Sequence, residues 1–212
     1  MRPMIELRAT TAAAEQISRI GEYDWVVLTS PSAVRIFFNL VRKSKTALRR
    51  IPKIAVCGAG CAAECEKQLF SPDLMPKDVF CAEALANCFT ADMFAGKKVL
   101  RLRSGRAGGA IAEALVKAGA AVTDTVLYDN IRVEQRLPAD FDAVFFASAS
   151  GAESFIAQFG TEVLKHKIIA ILGKPTATAL QAAGITDFSI AAQATAESAI
   201  HAIACARSPR RI

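Results

Sequence analysis

The sequence predicts an α/β protein made of two similar units, each a parallel sheet covered by helices on both faces. Three observations carry that prediction. Short β-rich runs are followed by a Gly or Ser turn and then by an Ala-rich amphipathic run, this order recurs along the 212 residues, and the second half of the chain repeats the first. Parallel strands need a crossover connection, usually a helix, so regular alternation of the two implies sheets buried on both sides.

The elements follow in order. Asp24–Thr29 (DWVVLT) reads as a strand, Ser30-Pro31-Ser32 as a turn and Ala33–Val41 as a helix. Lys53–Cys57 is the next strand, followed by Gly58-Ala59-Gly60 and a helix over Cys61–Leu69. Asp78–Phe80 reads as a short strand before a helix over Ala84–Phe94. Lys98–Leu102 meets Ser104-Gly105 and a helix over Ala107–Ala118, and Ala121–Tyr128 is a further strand. The scheme restarts with strands at Asp142–Phe146, Lys167–Leu172 and Phe188–Ile190, each with a helix after it.

The repeat aligns EYDWVVLTSPSAVRIFF (from Glu22) with DFDAVFFASASGAESFI (from Asp140), placing Asp24 on Asp142, Ser30 on Ser148 and Ser32 on Ser150. KIAVCGAGCAAEC aligns with IIAILGKPTATAL, placing Gly58 on Gly173, and DVFCAEALANCF aligns with DFSIAAQATAESAI. PMIELR (3–8) resembles LYDNIR (127–132). In the second half a strand, a Gly-rich turn, a helix and a second strand precede LYDNIR. The repeat therefore leads one to expect a further βα unit, about 30 residues, ahead of PMIELR that this sequence does not carry.

Composition narrows the function. A chain that is 52% hydrophobic and 22% charged is a globular protein with a core, not a disordered or fibrous one. The net charge of +6 suits an anionic small molecule at least as well as nucleic acid, which calls for a concentrated basic stripe. MRPMIELRAT has no signal-peptide pattern and no apolar run is long enough for a membrane span, so a cytoplasmic protein without membrane or nucleic-acid partners is expected. The six cysteines need no disulfides in a chain of this size.

Several motifs could carry chemistry. Gly58-Ala59-Gly60 with Ala63 has the order of a dinucleotide fingerprint, with Asp78 near the distance of a ribose contact, but any tight βα turn favours Gly and the duplicate turn GKPT lacks the second one. Gly173-Lys174-Pro175-Thr176 fails the Walker pattern, because position 168 is Ile and Pro175 interrupts it. The turn could still offer backbone N–H groups and the Thr176 hydroxyl to an anion. Cys57, Cys61 and Cys65 recur every four residues, and with only His166 and His201 to complete a ligand set they read as core, with no metal site. Arg101, Arg103, Ser104, Gly105 and Arg106 lie at a strand end, where ligands of parallel sheets bind and where Arg can hold a carboxylate in two places; the bland reading is a solvated basic turn. Ser30, Ser32, Ser148 and Ser150 occupy equivalent turns, as helix caps or as donors to an anion. Tyr128 closes the strand VTDTVL between the two units, as a packing residue or as an acid.

Taken together, YDWVVLTSPSAV, IAVCGAGCAA, VLRLRSGRAGGAIAEALVKAGAAVTDTVLY, FDAVFFASASGAESF and IIAILGKPTATALQAAG resemble the uroporphyrinogen-III synthase family, in order and spacing over nearly the whole chain. The resemblance implies two flavodoxin-like parallel-sheet domains joined by a two-stranded β-ladder, one of them discontinuous and here incomplete. In this numbering, 1–12 hold a linker strand and a remnant of the discontinuous domain, 13–124 the continuous domain, 125–136 the second linker strand, and 137–212 the rest of the discontinuous domain. It implies cyclisation of the linear tetrapyrrole hydroxymethylbilane to uroporphyrinogen III, with loss of water and inversion of the last ring through a spiro intermediate. No cofactor would be used, the chain would be a monomer, and the substrate would come by hand-over from hydroxymethylbilane synthase. The family's cleft Tyr falls on Tyr128, which would assist departure of the hydroxyl, and its late-turn Thr falls on Thr176, with Pro175 where a second Thr is common. Substrate carboxylates would meet Ser30, Ser32, Arg103, Ser104, Arg106, Ser148, Ser150, Gly173, Lys174 and Thr176. The alternative is a non-catalytic two-domain binding protein for a nucleotide or other anion.

Overall fold

The computed structural model describes residues 2–79, 81–137, 140–193 and 195–207. In chain order the elements are β1 (Ile5–Ala9), α1 (Thr11–Ser18), β2 (Trp25–Leu28), α2 (Pro31–Lys43), β3 (Lys53–Val56), α3 (Ala59–Glu66), α4 (Ala82–Asn87), α5 (Ala91–Phe94), β4 (Lys98–Ser104), α6 (Ala110–Lys117) and β5 (Ala121–Arg132). They continue with β6 (Ala143–Phe146), α7 (Ala149–Phe159), β7 (Ile168–Ile171), α8 (Lys174–Ala182), β8 (Ser189–Ile190) and α9 (Ala196–Arg207). The chain is α/β, with parallel strand pairs in two sheets, ordered β1-β5-β4-β2-β3 and β6-β7-β8. It divides into two compact units, Leu7–Asp129 and Met1–Glu6 with Asn130–Ile212, so that both β1 and β5 run from one unit into the other.

In Leu7–Asp129 the strand order reverses at β2, which has β3 on one side and β4 on the other, both parallel. Successive side chains of a strand point to opposite faces. Val26 and Leu28 accordingly join Ile54, Val56, Leu100 and Leu102 against α1, α2 and α3, while Trp25 and Val27 join Ala55 and Val99 against α4, α5 and α6. All four residues of β2 are buried, as expected of a central strand covered twice. Helix α2 buries Ala33, Val34, Phe37, Phe38 and Val41, a stripe at helical spacing. It starts at Ser30, whose side chain accepts the Ala33 N–H, with Pro31 in the first turn, where its missing donor costs nothing.

Two expectations are corrected here. No strand forms at Asp78 and Val79, and Phe80 lies outside the described residues. The chain instead touches the sheet at Leu74, in a single parallel bridge to Ala55, with Asp73 Oδ2 accepting the Ile54 N–H at 2.8 Å. Pro72 and Pro76 flank that bridge and lack the donors a longer pairing would need. The helix expected over Ala84–Phe94 is two helices, α4 and α5, because Thr90 takes an extended conformation between them. Helix α1 was not read from the sequence; it is capped by Thr10, whose side chain accepts the Ala13 N–H.

In the other unit, Phe146, Ile169 and Ile171 pack with Phe155, Leu164 and Leu180 on one face, and Ala170 meets Ala199 of α9 on the other. Among the described residues β6 is paired by β7 on one side only, whereas β2, its counterpart in the repeat, is paired on both. Beside β6 runs a mainly apolar groove of about 480 Å³, bordered by Leu137, Phe141, Val144, Phe146, Phe155 and Phe159. No helix among the described residues is long and apolar enough to cross a membrane.

A strand paired on one side leaves half of its amides without a sheet partner. Amide exchange followed by mass spectrometry or NMR is expected to be faster at the β6 amides that point away from β7 than at any amide of β2. Equal protection of the two strands would contradict the one-sided pairing.

Candidate functional site

In Leu7–Asp129 the chemically useful side chains collect where β2, β3 and β4 end, beside β5. Ligands of open parallel sheets bind at the carboxyl ends of strands, at the point where strand order reverses, and β2 is that point. Ser30 follows β2, Cys57 follows β3, Ser104 ends β4, and Tyr128 lies in β5 opposite Ser104.

The position of Tyr128 depends on an irregularity in the β4–β5 pairing. Leu102 pairs with Thr125 and Arg103 with Val126, but Ser104 pairs with Tyr128, so Leu127 is an extra residue in β5. Leu127 and Tyr128, neighbours in sequence, consequently pack in the same cluster with α1, α2 and α3, which strict alternation forbids. Tyr128 is 7% exposed and its hydroxyl lies 3.4 Å from Ser30 Oγ. Ser30 Oγ already accepts the Ala33 N–H at 3.1 Å, which leaves its own hydrogen to be donated. When Ser30 donates to Tyr128 Oη, the phenol hydrogen is left for a ligand.

The opposite face of the same strands carries the charges. Arg101, 3% exposed, donates to Asp124 Oδ2 at 3.2 Å and to the Gly108 carbonyl at 2.5 Å. Arg103 Nε donates to both Asp124 oxygens at 3.1 and 3.0 Å, and Nη1 to the Ser104 carbonyl at 3.2 Å. Burial pulls Arg101 below its ordinary pKa while Asp124 pulls it back up, and the group stays protonated at any physiological pH. Arg101 Nε is buried without a partner among the described residues. The arginines therefore shape the turn between β4 and α6 from beneath, and Arg106 is exposed on it. Asp124 was not singled out from the sequence. The signal was present, because Arg101 and Arg103 at i, i+2 share one face and an acidic residue in the neighbouring strand is the natural partner for that face.

Ser32 lies half-buried in the first turn of α2. In the other unit Ser148 caps α7, accepting the Gly151 N–H at 3.2 Å, with Ser150 Oγ 3.3 Å away. Gly173 precedes α8, Lys174 is exposed there, and Thr176 is buried at 3% exposure. Ser148, Ser150, Gly173, Lys174 and Thr176 are thus gathered at the ends of β6 and β7, as Ser30, Ser32, Ser104 and Arg106 are at the ends of β2 and β4, with Tyr128 in β5 opposite Ser104. At Gly60, the second glycine of the dinucleotide-like turn, a Cβ would stand 3.4 Å from Pro31 Cγ, an ordinary contact distance. Among the described residues no three His, Cys, Asp or Glu side chains are placed to hold a metal ion.

Comparison with known proteins locates this architecture. The family model described as uroporphyrinogen-III synthase HemD matches residues 1–201. A protein of Methanothermobacter thermautotrophicus that carries the provisional name uroporphyrinogen-III synthase is 29% identical over 202 residues, covering 87% of this chain and 79% of that protein. The crystal structure of uroporphyrinogen-III synthetase from Helicobacter pylori superposes with a TM-score of 0.63 at 21% identity, over 88% of this chain and 84% of the other. The Thermus thermophilus uroporphyrinogen III synthase does so with a TM-score of 0.53 at 14% identity, over 96% and 86%. At these identities the two structures speak to the fold.

Removing the charge of Asp124 leaves a buried guanidinium without its counterion. Asp124→Asn is expected to lower stability by about 1–3 kcal/mol, read as a lower urea midpoint. An unchanged midpoint would show that the Gly108 carbonyl alone compensates Arg101.

Proposed function

The chain belongs to the uroporphyrinogen-III synthase family, and on that premise we propose that it closes hydroxymethylbilane to uroporphyrinogen III, releasing water and inverting the last pyrrole ring. The observation that carries the reading is the Tyr128–Ser30 hydroxyl pair at the strand-order reversal. The scissile bond is that between the terminal methylene and its hydroxyl. Tyr128 Oη gives its proton to the departing oxygen, so that water leaves rather than hydroxide, and Ser30 holds the phenol oriented. The linear substrate carries eight carboxylates. In Leu7–Asp129 the N–H groups at the start of α2, with Ser32, and Ser104 at the end of β4 suit such anions; taken by itself, the other unit offers the same kind of donors at the starts of α7 and α8, with Ser148, Ser150, Gly173 and Thr176. Arg103, Arg106 and Lys174 add positive charge, and the net +6 draws a polyanion from a distance. Most of the catalytic effect on this reading is conformational: holding the chain ends so that ring attack at the substituted carbon precedes simple closure. No cofactor enters any step.

The test is direct. Hydroxymethylbilane is supplied to the purified protein, and the products are oxidised and separated as isomers I and III. Excess isomer III is expected; isomer I alone would overturn the reading.

Tyr128→Phe keeps the ring in its cluster and removes only the hydroxyl. It is expected to lower kcat by about 10²-fold or more while changing KM little, as for a group acting in the transition state. An unchanged kcat removes Tyr128 from the proton transfer.

Association with so charged a substrate is expected to slow steeply as ionic strength rises, since the Debye length falls from about 10 Å at 0.1 M to about 3 Å at 1 M salt. Stopped-flow rates that stay flat over that range would contradict electrostatic steering.

A further inference from the structure

The last helix carries side chains that the proposed reaction does not use. α9 packs Ala199 and Ile203 with Ala170 of β7, and its other side, with Ile200, His201 and Cys205, is exposed. His201 and Cys205 are four residues apart and therefore neighbours on one helix face, with Cys205 Sγ 3.5 Å from His201 Nε2. The ordinary reading is a pair of solvated surface residues. Two observations weigh against it. A free cysteine is among the most buried of residue types, and its reactivity rather than its packing decides where it stands. Cys205 is the exposed one of the six cysteines, and one of the only two histidines in the sequence stands against it.

We propose that His201 and Cys205 chelate a zinc-class divalent cation, and that the same two residues of a second copy of the chain complete its coordination shell. The spacing of the pair suits the ion. A tetrahedral zinc about 2.3 Å from a thiolate and about 2.0–2.1 Å from an imidazole nitrogen sets those two ligand atoms about 3.5–3.6 Å apart. The two atoms already stand at 3.5 Å, so the helix need not rearrange to accept the metal. His201 binds through Nε2 and keeps its hydrogen on Nδ1, while Cys205 gives its proton to solvent and binds as the thiolate. Thiolate and imidazole select zinc over magnesium or calcium, which take oxygen ligands. One chain fills half of the shell, because among the described residues no three His, Cys, Asp or Glu side chains are placed to hold an ion together. A second copy brings an identical pair about a two-fold axis, and the joint set is the Cys2His2 of closed zinc sites. Two thiolates cancel the two charges of the cation, so the site is neutral when two chains enclose it. Ile200, 63% exposed and next to His201, supplies apolar surface for the same contact.

The test uses the full chain, kept reduced and stripped of metal with a chelator, and zinc chloride as the only added ligand. Calorimetry is expected to give one zinc per two chains, and sedimentation to show the mass doubling with zinc and returning with EDTA. Cobalt chloride in place of zinc is expected to give a thiolate-to-metal charge-transfer band and the intense visible bands of a tetrahedral ion. His201→Ala and Cys205→Ser are each expected to weaken zinc binding at least about tenfold and to abolish the change of mass. Both positions are exposed, and circular dichroism checks that each variant is folded. Zinc uptake undiminished in the two variants overturns the assignment of the ligands. One zinc per chain with no change of mass overturns the sharing. A dimer that a reductant dissolves and a chelator does not is a Cys205 disulfide and overturns both.

Discussion

One extra residue in β5 decides what the end of the first sheet presents. Had Ser104 paired with Leu127, alternation would have sent Tyr128 to the face of Arg101, Arg103 and Asp124, among charges already committed to one another. With Leu127 as the extra residue, Tyr128 turns onto the face of Leu100 and Leu102 and brings its hydroxyl to Ser30. The hydrophobic clusters enforce the arrangement, because Leu127 is fully buried and a slip by one residue would drive it and its neighbours toward the wrong side. The ring is held by packing while its oxygen meets a polar partner, which is the division of labour a phenol acid needs.

The other face of those strands works by electrostatics. A guanidinium as buried as that of Arg101 is costly unless its donors are met, and Asp124 and the Gly108 carbonyl meet two of them. The cost is tolerable because the same contacts fix a Gly-rich turn that has few side chains of its own to hold it. Asp124 serves both arginines, so the turn bearing Ser104 and Arg106 is tied to the sheet through one carboxylate. An apolar replacement could fill the space but could not bind the Gly108 carbonyl.

Much of the fold was legible because its signals are periodic. The strands β2, β3, β6 and β7 are short, mainly apolar runs leading to Gly or Ser turns, and the repeat doubled the observation by pairing β2 with β6 and β3 with β7. The failures have local causes. Asp78–Phe80 has strand-like residues, but Asp73 and Leu74 reach the sheet first and Pro76 ends the pairing. The division of α4 from α5 turns on Thr90, which a count of apolar residues does not see. In the candidate site, Ser30, Ser104 and Tyr128 were legible as turn and strand-end residues, yet their meeting was not. It depends on the bulge, and no residue in VTDTVLYDNIR announces one. The cysteines at 57, 61 and 65 were read as core because only two histidines could complete a ligand set; Cys61 and Cys65 are buried, while Cys57 is half-buried with its sulfur on a carbonyl.

The two halves, set side by side, separate what the backbone demands from what chemistry adds. Both keep a serine after the first strand, and in both that serine caps the following helix, as Ser30 and Ser148 do. Both keep a glycine before the helix that follows the second strand. These shared residues answer to orphaned N–H groups and tight turns, needs that any βα connection has. The turns diverge elsewhere: thiols at 57 and 61 stand against Leu172 and Thr176, Ala59 against Lys174, Gly60 against Pro175 and Pro31 against Ala149. A duplicated fold therefore supplies its own control. Side chains that differ between two turns of the same shape add charge and chemistry that the turn itself does not require, as Lys174 does, while a shared cap such as Ser30 can serve the helix through its oxygen and a neighbouring hydroxyl through its hydrogen.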